Sequence, residues 1–215
     1  MLPFQRAFID FAIEQQVLCF GRFTLKSGRV SPYFFNTGRF RTGAALDRLG
    51  GYYADAMLFS GVDPDVLFGP AYKGIPLVTA ASIALSRKTG KDVPFSFNRK
   101  EAKDHGEGGV LVGADLAGRV LILDDVITAG TSVTESMAII RASGAEAAGV
   151  LIALDRMERV GESGGESAVS SVRKRFGIDV HAIVTLDHLV EYLDEVGDPQ
   201  AAAMKQHREQ FGVGS

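Results

Sequence analysis

Apolar runs and segments of helical spacing alternate along most of the chain. A short, nearly uninterrupted apolar run indicates a strand buried on both faces of a sheet, because a strand with one wet face would carry a polar residue at every second position. After residue 60, the predicted strands are Val66–Phe68, Val93–Asn98, Val120–Leu123, Ala148–Leu154 and Val180–Val184. Apolar residues that recur every three to four positions predict helices over Leu2–Gln16, Gly43–Ser60, Pro76–Lys88, Thr131–Ser143, Val169–Phe176, Leu186–Val196 and Pro199–Glu209.

The helix predicted over 43–60 has an apolar face. The residues expected to face the core there are Leu46, Leu49, Tyr53, Met57 and Leu58. Polar, glycine-rich segments predict loops over 100–109 and 161–166.

Strands that alternate with helices predict an α/β fold with a doubly wound parallel sheet. Residues 18–37 do not follow this alternation; they predict two short strands joined by a turn at Ser27-Gly28. We expect this hairpin to form a small hood over one edge of the sheet. The prediction is therefore a single domain over 1–215, with a core of about 43–185 and a hood of about 1–40 plus the C-terminal segment.

Composition narrows the class of protein. The 215 residues are 46% hydrophobic and 23% charged, which is typical of a globular domain, and the net charge of −3 does not favour a nucleic-acid-binding surface. No apolar run approaches the 18 or so residues of a membrane span. Cys19 is the only cysteine, which excludes an intrachain disulfide and favours a cytoplasmic enzyme.

The stretch 120–132 carries the clearest chemical signal. Its predicted strand ends at two adjacent carboxylates, Asp124 and Asp125, and a loop of small and hydroxyl residues then leads into a helix. The free N–H groups at a helix N-terminus favour an anion such as phosphate, and Gly130 lets the backbone approach it closely. Paired carboxylates beside a phosphate site suit a ligand with several hydroxyls, or its magnesium ion.

Other phosphate-binding motifs do not fit this stretch. The chain has neither a Gly-x-x-x-x-Gly-Lys-Ser/Thr run nor an early Gly-x-Gly-x-x-Gly, so neither a P-loop nor a dinucleotide fingerprint is present. The alternative that remains open is that the two acids only cap a helix, since Asp is a common N-cap residue.

Predicted loops follow several of the predicted strands. They cover 69–74, 99–109, 124–132 and 155–156. Because ligands of open α/β sheets bind beyond the carboxyl ends of the strands, we expect these segments to meet at one cleft.

The run of apolar strand, Asp-Asp and Thr128-Ala-Gly-Thr131 resembles the signature of type I phosphoribosyltransferases. Other motifs are similar to those of the bacterial orotate phosphoribosyltransferase family. They are Lys26-Ser-Gly-Arg29, Ser31-Pro-Tyr-Phe-Phe35, Gly69-Pro-Ala-Tyr-Lys-Gly74, 97–106 and Asp155-Arg156. The resemblance covers essentially the whole chain, from about Phe4 to Val213.

The resemblance implies transfer of a phosphoribosyl group from phosphoribosyl pyrophosphate (PRPP) to orotate, giving orotidine 5′-monophosphate and pyrophosphate, with Mg²⁺ as cofactor. It implies that Lys103, His105, Asp124 and Asp125 are catalytic. The implied PRPP-binding residues are Lys26, Tyr72, Lys73, Arg99, Lys100, Lys103, His105, Asp124, Asp125, Val126, Ile127, Thr128, Ala129, Gly130, Thr131 and Ser132. Magnesium is expected to be carried by PRPP near the paired acids, with no direct protein ligand.

For orotate, the resemblance implies contacts from Lys26, Phe34, Phe35, Thr128 and Arg156. The planar guanidinium of Arg156 suits the orotate carboxylate. On pattern alone, Phe34 and Phe35 could equally be core aromatics of a hairpin. On pattern alone, the charged side chains of the loop 99–109 could equally be solvent-exposed residues without a binding role.

The glycines of 99–109 predict a lid that closes over PRPP and excludes water. In the family this segment reaches the neighbouring subunit's site, which implies a homodimer with shared active sites. No nucleic acid or membrane is expected as a partner. The alternatives are a phosphoribosyltransferase for purines or other bases, which would not need Arg156, and a PRPP-sensing regulator that has lost catalysis.

Overall fold

Eight strands and seven helices make up the described part of the chain, which in this computed structural model is residues 1–25, 28–103, 109–160 and 165–213. The strands are β1 (Leu18–Thr24), β2 (Val30–Phe35), β3 (Val66–Gly69), β4 (Phe95–Lys103), β5 (Gly109–Gly113), β6 (Arg119–Asp124), β7 (Glu146–Asp155) and β8 (Val180–Thr185). The helices are α1 (Pro3–Glu14), α2 (Gly43–Ser60), α3 (Gly74–Thr89), α4 (Thr131–Ala142), α5 (Ala168–Phe176), α6 (Leu186–Val196) and α7 (Ala201–Phe211). A short 3-10 turn covers Thr37–Arg39.

The central sheet has six strands in the order β5-β4-β3-β6-β7-β8. The five strands from β4 to β8 in that order are parallel, and β5 is antiparallel to β4 at one edge. From β3 the chain adds β4 and then β5 on one side, whereas from β6 it adds β7 and then β8 on the other side. The carboxyl ends of β3 and β6 therefore lie at the switch point of the sheet, where α/β proteins bind ligands.

Successive residues of the central strands enter two different apolar layers. Leu67 and Leu121 pack with α1, α2, α3 and α6, whereas Phe68 and Ile122 pack with α4 and α5 on the opposite face. Because side chains alternate across a strand, a strand covered on both faces must be apolar at every position. This explains the uninterrupted apolar runs and confirms the predicted doubly wound α/β architecture.

The edge of the sheet corrects two predictions. Strand β4 continues to residue 103, well into the segment expected to be a loop over 100–109, and β5 was not predicted at all. The side chains of Lys100 and Glu101 are exposed there. This exposed part of β4 needs no apolar alternation, so its sequence resembles a polar loop. Strand β5 is different: it is short and apolar, and its Leu111 packs against the layer formed with α4 and α5.

A third correction concerns α2. Its bounds are as predicted and Leu49, Tyr53 and Met57 are buried, but Leu58 is 51% exposed. Adjacent residues of a helix lie about 100° apart, so Met57 and Leu58 cannot both face the same layer. Gly161–Gly164, part of the predicted loop 161–166, fall outside the described residues.

Strands β1 and β2 form a separate antiparallel pair, with Leu18 opposite Phe35 and Thr24 opposite Val30. Helix α7 contacts β2, and the Tyr33 hydroxyl of β2 donates a hydrogen bond to Glu158, beyond the end of β7. The polypeptide thus returns from α7 to the same region as the hairpin. The division into core and hood stays a prediction.

Across the described ranges, no helix is both long and apolar enough to cross a membrane.

Helices α2 and α3 approach each other most closely at Gly50. A Cβ at Gly50 would lie 2.3 Å from the Ala80 carbonyl oxygen, whereas a Cβ on the neighbouring Gly51 would meet no atom within 4 Å. We therefore expect Gly50→Ala to force the two helices apart and lower the free energy of unfolding by about 1–3 kcal/mol. Gly51→Ala is the matched control and should be neutral or stabilising by up to about 1 kcal/mol, because alanine favours helix. Urea denaturation of both variants measures the difference; equal stabilities would contradict the close approach.

Candidate active site

The paired acids lie at the carboxyl end of β6, where both side chains are almost fully buried. Asp125 accepts hydrogen bonds at Oδ2 from the Thr37 hydroxyl and from the Lys73 ammonium, each 2.7 Å long. Its backbone carbonyl accepts a hydrogen bond from the Ala153 N–H of β7 at 2.9 Å. One aspartate therefore joins the 3-10 turn, the segment before α3 and two central strands.

Asp124 is held differently. Its Oδ2 accepts a hydrogen bond of 2.7 Å from Ser132, and its Oδ1 accepts the backbone N–H of Asp125 at 2.8 Å. The buried Tyr53 hydroxyl donates to the Asp124 backbone carbonyl at 2.7 Å. Burial raises the pKa of the Asp124 carboxyl to about 6; the hydrogen bond from Ser132 opposes this rise, and the charge of Asp125 adds to it.

The loop after the paired acids leads into α4 through Gly130, whose φ is +72°. This left-handed conformation favours glycine, and the first N–H groups of α4 receive no side-chain cap from it. Thr128, Ala129 and Thr131 are exposed, so the loop and the helix N-terminus are open to a ligand. The arrangement has the features of an anion site, namely uncapped N–H groups, hydroxyls and the positive end of a helix dipole.

Two residues of this loop point elsewhere. The Ile127 side chain is buried in the layer between the sheet and α4, and Val126 packs against the other layer. Only their backbone groups are therefore open to a role in binding. A cavity of about 410 Å³ adjoins the loop on its α5 side and is lined by Thr128, Ala129, Gly130 and Thr134 together with residues that include Val172 and Arg175.

The segment 69–74 crosses the end of β3 beside the paired acids. The Ala71 N–H donates to Asn98 Oδ1 of β4 at 2.8 Å, and the Ala71–Tyr72 peptide bond is cis. The Tyr72 side chain is 73% exposed at the surface of the site. Lys73 is half-exposed even though its ammonium contacts Asp125, so a cation lies at the mouth of the cleft.

Arg156 follows β7 and contacts the hairpin through a buried carboxylate. Its Nη2 donates to Glu158 Oε1 at 2.9 Å, and its guanidinium carbon lies 4.7 Å from the centre of the Tyr33 ring. Glu158 also accepts hydrogen bonds from Tyr33 (2.8 Å) and Arg29, and its Oε1 lies 3.1 Å from His207 Nε2. Burial alone would raise the pKa of the Glu158 carboxyl, but the hydrogen bond from His207, the charge of Arg156 and the other donors lower it to about 2.

The two aromatic residues predicted to cover orotate lie on β2 and are partly buried. The Phe34 ring lies 5.7 Å from the Phe23 ring and 5.9 Å from the Arg39 guanidinium carbon, and Phe35 packs at the margin of the main apolar layer. Because Phe34 and Phe35 are partly buried, their positions are compatible with both roles that the sequence suggested, namely core packing and contact with a ligand.

The predicted lid cations fall only partly within the described residues. Arg99 is half-buried on β4, and the exposed Lys100 forms an ion pair of 3.1 Å with Glu135 of α4. Lys103 belongs to β4, but its side chain lies outside the described residues, as do Lys26 and His105. Among the residues that are described, no group of three or more His, Cys, Asp and Glu side chains could hold a metal ion.

Sequence reasoning missed several residues that support the site. They are Thr37, Tyr53, Asn98, Glu158 and His207. The sequence gives a weak signal for Glu158, because it is a charged residue that lies two positions after Arg156, just beyond a strand predicted to be buried. Thr37 and His207 have none, because their partners are distant along the chain.

The comparisons with known proteins agree with this geometry. Residues 46–188 match the family model described as the phosphoribosyl transferase domain. The chain is 60% identical over 214 residues to an orotate phosphoribosyltransferase of Methylococcus capsulatus, with 99% of this chain and 100% of the relative covered. It is 56% identical over 224 residues to one of Chromohalobacter salexigens, with coverage of 98% and 96%.

A crystal structure of an orotate phosphoribosyltransferase from Francisella tularensis has the same fold. Its TM-score is 0.87 at 45% identity, and the match covers 96% of this chain and 100% of the other. The family model and these full-length relatives together show that the chain belongs to the orotate phosphoribosyltransferase family.

Proposed function

We infer that this chain catalyses transfer of the 5-phosphoribosyl group from PRPP to orotate, giving orotidine 5′-monophosphate and pyrophosphate, a step of pyrimidine nucleotide synthesis. The observation that carries this inference is the pair of buried carboxylates at the end of β6, which the short loop 126–130 separates from the uncapped N-terminus of α4. This combination suits a sugar phosphate, because it has acceptors for hydroxyls beside donors for a phosphate.

In the proposed PRPP site, the 5-phosphate lies against the 126–132 loop and the first turn of α4. Asp124 and Asp125 accept hydrogen bonds from the ribose hydroxyls. The pyrophosphate is bound by cations and by an exposed aromatic side chain; these residues are Lys26, Tyr72, Lys73, Arg99, Lys100, Lys103 and His105. Lys73 supports this role because its half-exposed ammonium is already held 2.7 Å from Asp125, beside the ribose position.

Orotate in this proposal lies between the hairpin and the end of β7. Arg156 binds its carboxylate, Phe34 and Phe35 cover its ring, and Lys26 and Thr128 make further contacts. The supporting observation is that Arg156 lies beside the hairpin, with its guanidinium against the Tyr33 ring of β2.

The proposed reaction is a displacement at C1 of the ribose. A ring nitrogen of orotate forms the new bond to C1 as the C1–O bond to pyrophosphate breaks, and the electron pair of that bond leaves with pyrophosphate. Cations around the leaving group stabilise its developing charge. Lys103 and His105 are proposed to act there, and no side chain becomes a covalent nucleophile.

Magnesium fits this site as a partner of the substrate. Mg²⁺ commonly binds substrate phosphates and keeps several of its waters, and we propose that PRPP carries the ion near the negative charges of Asp124 and Asp125, with no direct ligand from a protein side chain. Bound there, it would neutralise charge on pyrophosphate. We also propose a homodimer with shared sites, a lid over 99–109 and a cytoplasmic location.

The first test follows orotate absorbance after purified protein is mixed with PRPP and Mg²⁺, with adenine, hypoxanthine and uracil in parallel reactions. We expect orotate to be consumed only when PRPP and Mg²⁺ are both present, because PRPP donates the ribosyl group and Mg²⁺ neutralises charge on the leaving pyrophosphate. The other bases should not react, because they lack the carboxylate that Arg156 is proposed to bind. Consumption of another base in place of orotate would overturn the substrate assignment, and binding of PRPP without any reaction would favour a regulator.

Replacing Asp124 by Asn should separate activity from stability. The carboxyl has a pKa of about 6 in the folded protein against an ordinary value of 3.8, so its ionised form is penalised by folding. The folded protein therefore loses stability as the pH rises from about 4 to 6 and stays less stable above pH 6, by up to about 3 kcal/mol. Asp124→Asn has the same shape; its amide oxygen still accepts the Asp125 N–H, and its NH2 group donates to Ser132 Oγ, which becomes the acceptor. The variant should raise the free energy of unfolding at pH 7.5 but not at pH 4.

The same variant should raise the KM for PRPP by roughly tenfold, because hydrogen bonds from hydroxyls to a charged acceptor are lost. Urea denaturation at the two pH values and steady-state kinetics measure both effects. Asp115→Asn, which removes an exposed carboxylate, is the control and should change neither quantity. If the Asp124→Asn variant were no more stable than the wild type at pH 7.5, the ionised Asp124 carboxylate would not destabilise the folded protein, and the prediction would be wrong.

Arg156→Gln should weaken the binding of orotate and leave the binding of PRPP unchanged. The variant loses the charged donors for the orotate carboxylate, so we expect the KM for orotate to rise by a factor on the order of 10² while the KM for PRPP stays within about twofold. Kinetics with each substrate varied in turn provide the measurement. A comparable rise in both KM values would show that Arg156 does not recognise orotate.

A further inference from the structure

Glu158 is a buried carboxylate at which three parts of the chain meet. It follows β7 by three residues, it accepts a hydrogen bond from Tyr33 of β2, and it contacts His207 of α7. Its side chain is 5% exposed. Burying a carboxylate is costly unless it is paired and hydrogen-bonded, so a residue in this position has to be fully satisfied by its neighbours.

Both oxygens of Glu158 are satisfied. Oε1 accepts hydrogen bonds from Tyr33 at 2.8 Å and from Arg156 Nη2 at 2.9 Å, and it lies 3.1 Å from His207 Nε2. Oε2 accepts a hydrogen bond from Arg29. The low pKa of this carboxyl keeps it ionised throughout the neutral range.

Arg156 is only partly engaged by this contact. A guanidinium has five N–H donors in a planar fork, and within the described ranges the hydrogen bonds of Arg156 use Nη2 alone. Its side chain remains 19% exposed. The contact with Glu158 and the Tyr33 ring, 4.7 Å away, thus fix the plane of the guanidinium and leave other donors open to a ligand.

The charges of the cluster leave room for an anion. Two guanidinium groups, Arg29 and Arg156, surround one carboxylate, so the cluster retains a net positive charge even with His207 neutral. A ligand carboxylate on the open side of Arg156 would balance that charge.

We propose that Glu158 is a positioning residue for orotate recognition, which holds the guanidinium of Arg156 in the orientation that receives the substrate carboxylate. The inference rests on the proposed function and adds a residue to it. Glu158 does not touch the substrate; it acts through Arg156. Without it, Arg156 keeps its charge but gains rotamer freedom, and ordering that side chain again reduces the affinity for orotate.

The test is Glu158→Gln, studied by steady-state kinetics with orotate and PRPP varied in turn. Gln has the same shape but a neutral, weaker acceptor. The KM for orotate should rise roughly tenfold, and the KM for PRPP should stay within about twofold. A purely structural role would affect both substrates, because the hairpin and α7 would loosen over the whole cleft. Equal rises in the two KM values would therefore overturn the proposal.

Arg208→Gln is the matched control. Arg208 lies on α7 next to His207, but its guanidinium donates to Asp187 of α6, through Nε at 2.5 Å and Nη2 at 3.4 Å, rather than to Glu158. The substitution weakens the docking of α7 and leaves the Glu158 cluster intact. Both KM values should stay within about twofold of the wild type. A control that reproduces the Glu158→Gln phenotype would also overturn the proposal.

A double variant tests whether Glu158 acts through Arg156. In an Arg156→Gln background, Glu158→Gln should raise the KM for orotate by no more than about twofold further, because the group that it positions is gone. Additive losses would assign Glu158 an independent role and contradict the inference.

If Glu158→Gln does not yield folded protein, Glu158→Asp takes its place. Asp keeps the charge of the cluster but withdraws the carboxylate from Arg156 by one methylene. Glu158→Asp should also raise the KM for orotate selectively, but by a smaller factor than Glu158→Gln. An unchanged KM for orotate would count against the proposal. A wild-type protein that does not consume orotate would instead refute the proposed function, which separates the two failures.

Discussion

Burial of two adjacent carboxylates at the end of a fully covered strand is the constraint on which the site depends. Desolvation opposes the ionised form of such groups, so each must obtain compensating donors from the surrounding chain. Asp125 obtains them from Thr37 and Lys73, and Asp124 obtains them from Ser132 and the backbone. The donors come from the 3-10 turn, the segment before α3 and the first turn of α4. Satisfying the acids therefore also fixes the positions of the loops around the cleft.

Glu158 plays a corresponding part on the other side of the cleft. It holds Arg29, Tyr33 and His207 in one buried cluster, which attaches the β1–β2 hairpin and α7 to the end of β7. The hairpin thus contacts the segment after β7 through Tyr33 and Arg29, which both donate to Glu158. The 3-10 turn that follows the hairpin contacts the end of β6 through Thr37 and Asp125. Charged hydrogen bonds of this kind depend strongly on geometry, so they set the separation between the hairpin and the strand ends.

The sequence predicted the interior of the fold better than its edge. Strands such as β6 lie between two apolar layers, and their composition follows directly from that burial. The extension of β4 beyond Asn98 has exposed side chains, those of Lys100 and Glu101, at the edge of the sheet, where backbone pairing forms a strand without apolar alternation. The antiparallel β5 has only three apolar residues between two glycines, which is a weak signal for a strand. Leu58 was misplaced because hydrophobicity alone does not distinguish two adjacent positions of a helix. At the site, Asp124, Asp125 and Gly130 were evident from one local motif, whereas Thr37, Glu158 and His207 act through partners that only the tertiary structure brings together.

The raised pKa of Asp124 also has a consequence for the thermodynamics of binding. Near pH 6 the free protein holds a fraction of a proton on this carboxyl. A ligand whose hydroxyls donate to Asp124 favours the ionised form, and a cation beside it does the same. Binding then releases that proton to the solvent, so the observed enthalpy of association near pH 6 includes the ionisation heat of the buffer. The affinity for such a ligand is therefore coupled to the proton concentration through the two carboxylate oxygens of one buried residue.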